Sequence, residues 1–351
     1  MLREDLSKLK AYVPGKQLEN SLKLSSNENA NGPLPAAVQA MSEAAAQVNR
    51  YPDTAMVRLR EELAEHLEID FNNITVGAGS SALCQQLVQI TCLPGTGNPE
   101  VIFPWPSFEA YPLFVAVVGA TSRAIPLTED HRLDLDAMAE AIGEDTRLIF
   151  VCNPNNPTGT TITQGEFDDF MAKVPKNIIV ALDEAYFEYN LAEDTPIATE
   201  AVASYPNVVG LRTFSKAFGL ADLRVGYAFG DKEIVETMSK VAAPFAVSNI
   251  SQQGAIASLN AVDQLLEHVD DTAAQRDRAT EALSRFGALK SQANFIFLPA
   301  DKLPASPHEV AATIADNGVV IRPSDFGLRI SITNKEETDR LLAAWDAAFP
   351  A

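Results

Sequence analysis

One lysine in this chain has the surroundings that covalent carbonyl chemistry requires. Lys216 lies in the string TFSKAFG at 213–219, and Arg224 follows eight residues later. A lysine amine can form a Schiff base with an aldehyde, while hydroxyl groups and a planar arginine fork can bind a phosphate dianion. The spacing fits a lysine-bound, phosphorylated cofactor, although a serine-lysine pair with a downstream arginine is also common on solvated surfaces.

Polar or glycine-rich segments directly follow three apolar runs elsewhere in the chain. Asp183 comes directly after the run 178–182, and the amide-rich string NPNNPTG at 153–159 comes after the next such run upstream. A glycine-serine turn at 77–81 precedes a helix whose N–H groups could bind a phosphate. Each feature has an ordinary alternative, namely a solvated helix start, turn chemistry between prolines, and a plain connection. Their occurrence together with Lys216 favours one shared site.

Alternating strands and helices would bring these groups together. Apolar residues at helical spacing over 57–67 are followed by a short strand pattern, and this alternation continues along the chain. The strand candidates are 74–76, 100–103, 148–152, 178–182, 208–211 and 225–229. The pattern predicts the α/β class, with a mostly parallel sheet covered on both faces. Open α/β sheets build their sites at strand ends, where the polar groups lie.

The pattern changes after about residue 244. Two long helices are predicted there, and a smaller α+β unit follows them. The predicted elements are helices 248–268, 270–286 and 335–349 and strands 294–298, 319–322 and 328–332. The sequence predicts a large domain over 36–245, a small domain over 246–351, and an N-terminal arm over 1–35. This arm is expected to join the small domain or to dock on another subunit.

Bulk composition restricts the partners. The chain has 351 residues, of which 46% are hydrophobic and 21% charged, and its net charge is −20. A strongly negative chain is a poor partner for nucleic acid or an anionic membrane, so an anionic ligand must be bound by a few specific cations. Three irregularly spaced cysteines fit neither a zinc site nor a disulfide framework. With no signal-peptide pattern and no membrane-length apolar run, we expect a cytoplasmic protein without a metal.

The motifs NPNNPTG (153–159), DEAY (183–186) and TFSK (213–216), with Arg224, resemble those of a known family. They are similar to the motifs of class I/II aminotransferases of fold type I, which use pyridoxal 5′-phosphate (PLP), and in particular to the histidinol-phosphate aminotransferase-like group. The resemblance runs from Tyr12 to Arg329. It implies a PLP-dependent transaminase with a large domain, built on a mostly parallel mixed sheet, and a smaller α+β domain.

This resemblance implies specific roles around the cofactor. Lys216 would bind PLP and, once released by substrate, move a proton between the substrate Cα and the cofactor C4′. Asp183 would pair with the pyridine nitrogen and keep it protonated, so that the ring acts as an electron sink. Asn156 and Tyr186 would donate to the cofactor 3′-oxygen, and Phe108 would stack on the ring. The residues implied around the phosphate are Gly79, Ser80, Ser81, Thr213, Ser215 and Arg224.

The resemblance also implies substrate and subunit contacts. Arg329 corresponds to the arginine that binds the substrate α-carboxylate, and Arg322 and Asn29 fall at further substrate positions. Tyr12 resembles a lid residue at the substrate, and Tyr51 resembles a tyrosine that reaches the phosphate of the neighbouring subunit. A homodimer with shared active sites is therefore expected. Without the resemblance, Phe108 would be core packing, Arg329 a structural ion pair and Tyr12 an ordinary arm residue.

One position departs from the family. Asp222 stands two residues before Arg224, where the family usually has glycine. Aspartate tolerates left-handed backbone better than most residues, but less well than glycine. A carboxylate beside a phosphate is unfavourable unless it turns away, so we expect Asp222 to point away from PLP.

The identity of the amino donor depends on local strings. The histidinol-phosphate branch typically has an acidic residue after the Gly-Ser of the phosphate turn, where this chain has Ser81, and a Pro-Thr-Tyr type string where this chain has WPSFEAYP at 105–112. Both departures resemble actinobacterial aromatic amino acid (phenylalanine) aminotransferases. An aromatic donor and a 2-oxo acid acceptor, 2-oxoglutarate, are therefore expected. Histidinol phosphate remains the alternative, because Arg322 could bind either a substrate phosphate or the distal carboxylate of 2-oxoglutarate.

Two further classes remain open at this stage. A PLP enzyme that does not transaminate, such as a decarboxylase or an α-oxoamine synthase, would share most of the motifs, although Arg329 and Tyr186 fit transamination better. A PLP-sensing regulator would require a DNA-binding segment, for which neither the length nor the charge of −20 leaves room.

Overall fold

A seven-stranded mixed sheet forms the centre of the computed structural model, which describes residues 20–92 and 97–350. The strands lie in the order β2-β8-β7-β6-β5-β3-β4. Strand β8 is antiparallel to both of its neighbours, and the other pairings are parallel. The strand bounds are β2 Ile74–Gly77, β3 Glu100–Trp105, β4 Thr121–Pro126, β5 Thr146–Cys152, β6 Ile179–Asp183, β7 Val208–Thr213 and β8 Gly226–Gly230.

Helices cover both faces of this sheet, as its strands require. In β5, Leu148 and Phe150 pack into one apolar core, while Ile149 and Val151 pack into another on the opposite face. Strands that are buried on both sides are typical of α/β proteins, so the predicted class is confirmed. The helices up to residue 241 are α1 Pro35–Ala45, α2 Val57–Leu67, α3 Ser80–Thr91, α4 Tyr111–Val118, α5 Leu135–Glu140, α6 Gln164–Met171, α7 Ala198–Ser204 and α8 Lys232–Val241.

The C-terminal part contains two smaller sheets and four helices. A three-stranded antiparallel sheet has the order β11-β12-β9, and β1 pairs in parallel with β10. Trp345 lies in the separate apolar core of this part. The bounds are β1 Leu22–Lys23, α9 Asn249–Leu259, α10 Val262–Ala282, β9 Phe295–Pro299, α11 Pro307–Asp316, β10 Val319–Val320, β11 Arg322–Ser324, β12 Gly327–Ser331 and α12 Lys335–Ala348.

The residues of the two apolar cores can be compared with the predicted domain limits. Leu22 and Leu24 belong to the C-terminal core, which supports an arm that joins the small domain. Ile256 and Val269, however, belong to the core under the large sheet, although they lie after the predicted limit at residue 245. The three-part division stays a prediction, and we propose that its second limit lies within α10.

Several element bounds differ from the sequence expectation. The break between the two long helices lies at Asn260 and Ala261, not at residue 269, because Val269 continues the buried face of α10. The predicted strand 319–322 divides at Ile321 into β10 and β11. Strand β4 had no sequence signal, since it is an edge strand whose side chains are mostly exposed.

The described residues include no helix with the length and apolar character that crossing a membrane requires.

Candidate active site

A cavity of about 170 Å³ opens where the central strands end. Cys152 ends β5, Asp183 ends β6 and Thr213 ends β7, and these strands are parallel neighbours. Strand β8 runs the opposite way, so its first residue, Gly226, lies beside Thr213. The topology therefore collects residues that are far apart in sequence at one edge of the sheet. The cavity is lined by Ser26, Asn27, Ser80, Ser81, Phe108, Cys152, Asn156, Asp183, Ala185, Tyr186, Thr213, Ser215, Lys216, Arg224 and Arg329.

Lys216 points its amine into this cavity. Its Nζ lies 3.4 Å from the backbone oxygen of Ser26 and 5.7 Å from the centre of the Tyr186 ring. Burial, together with the positive charges of Arg329 and Arg224, lowers the pKa of Lys216 to about 7. A substantial fraction of the amine is therefore neutral at physiological pH, the form in which a lysine is nucleophilic.

Asp183 is buried at the floor of the cavity, with 3% of its surface exposed. Its Oδ2 accepts a hydrogen bond from the Tyr111 hydroxyl at 2.6 Å, and its Oδ1 accepts one from the Ala185 N–H at 3.2 Å. Burial raises the pKa of Asp183 to about 6, against the opposing effect of these two donors. Such a carboxylate gains most from a cationic partner, for example a protonated ring nitrogen.

Hydroxyls, a helix N-terminus and one guanidinium surround the other end of the cavity. Ser80 and Ser81 begin the twelve-residue helix α3, where N–H groups and the helix dipole favour an anion. Arg224 donates from Nη1 to Ser215 Oγ at 3.0 Å and to the Ala221 oxygen at 2.8 Å. This set of donors is suited to a phosphate dianion.

Two glycines make this arrangement possible. Gly79 has a φ of +78°, and a Cβ there would lie 2.3 Å from Arg224 Nη2. At Gly226, a Cβ would lie 2.3 Å from the Ser80 nitrogen. Gly79 therefore acts by allowing close approach of Arg224, and it is not itself among the lining residues.

Amide and phenol groups complete the wall between Lys216 and Arg329. The Tyr186 hydroxyl accepts a hydrogen bond from Asn27 Nδ2 at 2.9 Å, and burial raises the pKa of Tyr186 to about 12, so the phenol keeps its proton to donate. Asn156 Oδ1 accepts from Arg329 Nη1 at 2.7 Å, while Arg329 Nη2 donates to the Ser25 oxygen at 2.8 Å. The amide nitrogen of Asn156 is thus the end that can donate to a ligand.

These groups fit PLP. Lys216 offers an amine for the aldehyde, Asp183 a buried carboxylate for the pyridine nitrogen, and Arg224 with its neighbours a phosphate site. Cys152 lines the cavity as a neutral thiol, because burial raises its pKa to about 12. The described residues contain no cluster of His, Cys, Asp and Glu side chains able to bind a metal ion.

A second cavity, of about 340 Å³, lies beside the first and shares Asn156 and Arg329 with it. Trp105 and Phe326 form aromatic walls, with ring centres 6.3 Å apart and planes at 87°. Arg322 also lines this cavity, and its Nη2 lies 2.7 Å from Glu109 Oε2.

Some predicted site residues lie elsewhere. Asn29 donates to the Ala217 backbone oxygen at 2.8 Å and does not line the cavity. Tyr51 is 82% exposed and stacks on Phe245 at 4.4 Å between ring centres. Asp222 is exposed and is not among the lining residues, in keeping with the expectation that it turns away. Tyr12 lies outside the described residues.

Other residues were not predicted to have a role. Ser26, Asn27, Cys152 and Ala185 line the cavity, and Tyr111 reaches Asp183 from α4. Cys152 directly precedes the string at 153–159 and Ala185 lies within the DEAY motif, so the sequence did carry a signal for both. The position of Tyr111 depends on how α4 packs on the sheet, and no local pattern shows that.

Comparison with known proteins identifies the family. The family model for aminotransferases of class I and II matches residues 19–344. The chain is 59% identical to an aromatic amino acid aminotransferase of Corynebacterium glutamicum, strain R, over 99% of both chains. It is 50% identical to one from Rhodococcus jostii, over 97% of this chain and 94% of that protein.

Solved structures show the same fold. A histidinol-phosphate aminotransferase from Sinorhizobium meliloti in complex with PLP has a TM-score of 0.87 and 27% identity, over 99% of this chain and 97% of the other. An aspartate aminotransferase double mutant of Thermus thermophilus has the same fold, with a TM-score of 0.86, 22% identity, and coverage of 99% and 100%. The predictions of fold type, PLP cofactor and transaminase class are confirmed. The chain therefore belongs to the class I and II aminotransferase family, the PLP-dependent enzymes whose motifs it carries.

Proposed function

We propose that this aminotransferase moves the amino group of phenylalanine, tyrosine or a similar aromatic amino acid to 2-oxoglutarate by a ping-pong mechanism. The observation that carries the proposal is the second cavity, in which Trp105 and Phe326 offer apolar, aromatic walls next to Arg329. Relatives that are 57–59% identical over nearly their full length bear the name aromatic amino acid aminotransferase, which supports the same donor.

Individual residues of the chain would have separate roles in the reaction. Bound PLP supplies an electron sink that stabilises negative charge at the substrate Cα. Lys216 Nζ would take up and give back the proton of that carbon, because its lowered pKa suits both roles near neutral pH. Asp183 would stabilise the protonated ring nitrogen of PLP, and the Tyr186 phenol and Asn156 amide would donate hydrogen bonds to its 3′-oxygen.

Arg329 would orient the substrate. Its guanidinium lies at the junction of the two cavities, so a substrate α-carboxylate bound there directs its side chain towards Trp105 and Phe326. Arg322 would meet the distal carboxylate of 2-oxoglutarate in the second half-reaction. The roles of Asn29 and Tyr12 at the substrate remain part of this proposal, as does a cytoplasmic location.

A homodimer is the proposed assembly. The exposed pair Tyr51 and Phe245 forms an aromatic patch, which an interface with a second copy would cover. Tyr51 would then reach the phosphate site of the partner. Sedimentation should give twice the mass of one chain, and a fully active monomer would exclude a shared site.

Donor specificity is the test of the proposed function. With 2-oxoglutarate as acceptor, L-phenylalanine and L-tyrosine should have kcat/KM values at least roughly tenfold above that of histidinol phosphate, since apolar walls favour the aromatic ring. Parallel lines in double-reciprocal plots would indicate ping-pong kinetics. A clear preference for histidinol phosphate would overturn the proposal.

Histidinol phosphate is the second candidate because of one observation. Arg322 and Arg329 occupy directly opposed positions on β11 and β12, and two adjacent guanidinium groups could bind a phosphate dianion.

A further inference from the structure

We propose that Glu109 selects against substrates that carry a phosphate dianion, by cancelling the charge of Arg322. This inference deepens the proposed function and rests on it. Arg322 and Arg329 face each other across the antiparallel pair β11 and β12, and both line the second cavity. Two positive charges therefore stand side by side at the place where the substrate's anionic group must bind.

The two arginines differ in the groups they contact. Arg329 donates to the amide oxygen of Asn156 and the backbone oxygen of Ser25, which are neutral acceptors. Arg322 instead forms an ion pair with Glu109, at 2.7 Å between Nη2 and Oε2. Glu109 thereby offsets the positive charge of Arg322 beside Arg329.

The number of negative charges then distinguishes the two candidate amino donors, an aromatic amino acid and histidinol phosphate. An α-carboxylate carries one negative charge, which Arg329 alone can match. A phosphate monoester carries close to two at neutral pH, and in histidinol phosphate it replaces the α-carboxylate on an arm that is two atoms longer. Such a group would extend past Arg329 towards Arg322 and would meet the like charge of Glu109, which is unfavourable.

The location of Glu109 is consistent with a role in specificity. Glu109 lies on the loop between β3 and α4, whereas Arg322 belongs to the C-terminal sheet. Their ion pair therefore spans the second cavity, in which the side chain of the substrate is proposed to bind. Glu109 is 46% exposed and Arg322 18% exposed. Because water screens a partly exposed pair, the effect on selectivity should be moderate.

The experiment uses the PLP-loaded enzyme and the first half-reaction alone, followed by cofactor absorbance, since a dicarboxylic acceptor would also contact Arg322. Wild type, Glu109→Gln and Glu109→Ala are each mixed with L-phenylalanine and with histidinol phosphate. Both variants should raise the selectivity ratio, histidinol phosphate over phenylalanine, by about tenfold. The gain should appear mainly as tighter binding of histidinol phosphate, because Glu109 opposes the bound anion and not the chemical step.

Glu100→Gln is the matched control. Glu100 begins the same strand, β3, and pairs with Arg123 at 2.9 Å, far from the cavity, so its loss makes the same change in net charge. A second comparison, Glu109→Gln combined with Arg322→Gln, should abolish the gain, because Glu109 acts through Arg322.

The outcomes separate the two proposals. A ratio within about twofold of wild type in both Glu109 variants would overturn the role of Glu109, as would an equal rise in Glu100→Gln or a rise that persists without Arg322. A wild-type enzyme that prefers histidinol phosphate would instead overturn the proposed aromatic donor, whatever the variants show.

Discussion

At the scale of single residues, the site contains ionisable groups whose pKa values burial has shifted from their ordinary values. Burial lowers the pKa of Lys216 and raises that of Asp183. It therefore destabilises the charged form of each side chain until a ligand group pairs with it. A cofactor with an aldehyde and a basic ring nitrogen offers both partners. Groups of this kind are typical of functional sites.

Tyr111 offers a test of the role of Asp183. Its hydroxyl donates to the carboxylate and opposes the rise in the pKa of Asp183, so Tyr111→Phe should raise that pKa above about 6. Asp183 must be ionised to pair with a protonated ring nitrogen. PLP affinity should therefore fall as the pH drops through the pKa of Asp183, and in the variant this fall should begin at a higher pH.

The measurement is the PLP dissociation constant between pH 5 and 8, and at pH 7 we expect the variant to bind about tenfold more weakly, the value of a hydrogen bond to a charged group. Tyr205→Phe is the control, since Tyr205 donates at 2.9 Å to the exposed Asp168. An unchanged pH profile in Tyr111→Phe would contradict the assigned role of Tyr111.

At the scale of elements, the proposed phosphate site depends on a close approach between the turn at Gly79 and the side chain of Arg224. Gly79 precedes α3 with a φ of +78°, a backbone conformation that residues with side chains rarely adopt, and its missing side chain leaves room for the Arg224 guanidinium. Gly79→Ala would add both backbone strain and a steric conflict.

We expect Gly79→Ala to weaken PLP binding by at least roughly tenfold, because strain of about 1–2 kcal/mol adds to a displaced Arg224. Gly165→Ala is the matched control: Gly165 lies in helix α6, and a Cβ added there would meet no atom within 4 Å. Fluorescence titration with PLP compares the two. Equal affinities would show that Arg224 does not depend on this turn.

The sequence predicted the elements that carry the site better than those around it. The apolar runs before Asp183 and before the 153–159 string predict strands buried on both faces. The predicted bounds of these two strands agree with the structure within one or two residues. The edge strand β4 has no apolar pattern to detect, and the helix break at Asn260 has no glycine or proline to mark it. Contacts between distant elements, such as Tyr111 with Asp183 or Glu109 with Arg322, require the tertiary fold.

At the scale of the whole molecule, the distribution of charge concentrates binding at one place. The chain has a net charge of −20 and only 27 lysines and arginines, yet Lys216, Arg224, Arg329 and Arg322 lie in two adjoining cavities. An anionic cofactor and an anionic substrate would thus be bound by local cations against the negative charge of the rest of the chain. Residues between Ser80 and Arg224 supply most of the lining of the first cavity, and the C-terminal part contributes Arg329 and Arg322.

The central claim is that PLP binds covalently to Lys216 and that an aromatic amino acid releases it. The most direct test is borohydride reduction of the PLP-loaded wild-type enzyme, followed by mass spectrometry of tryptic peptides, with and without prior addition of excess L-phenylalanine. We expect the cofactor mass on the peptide 213–224, which carries Lys216, and loss of that label after phenylalanine. A label on another lysine, or one on Lys216 that phenylalanine does not diminish, would contradict the claim.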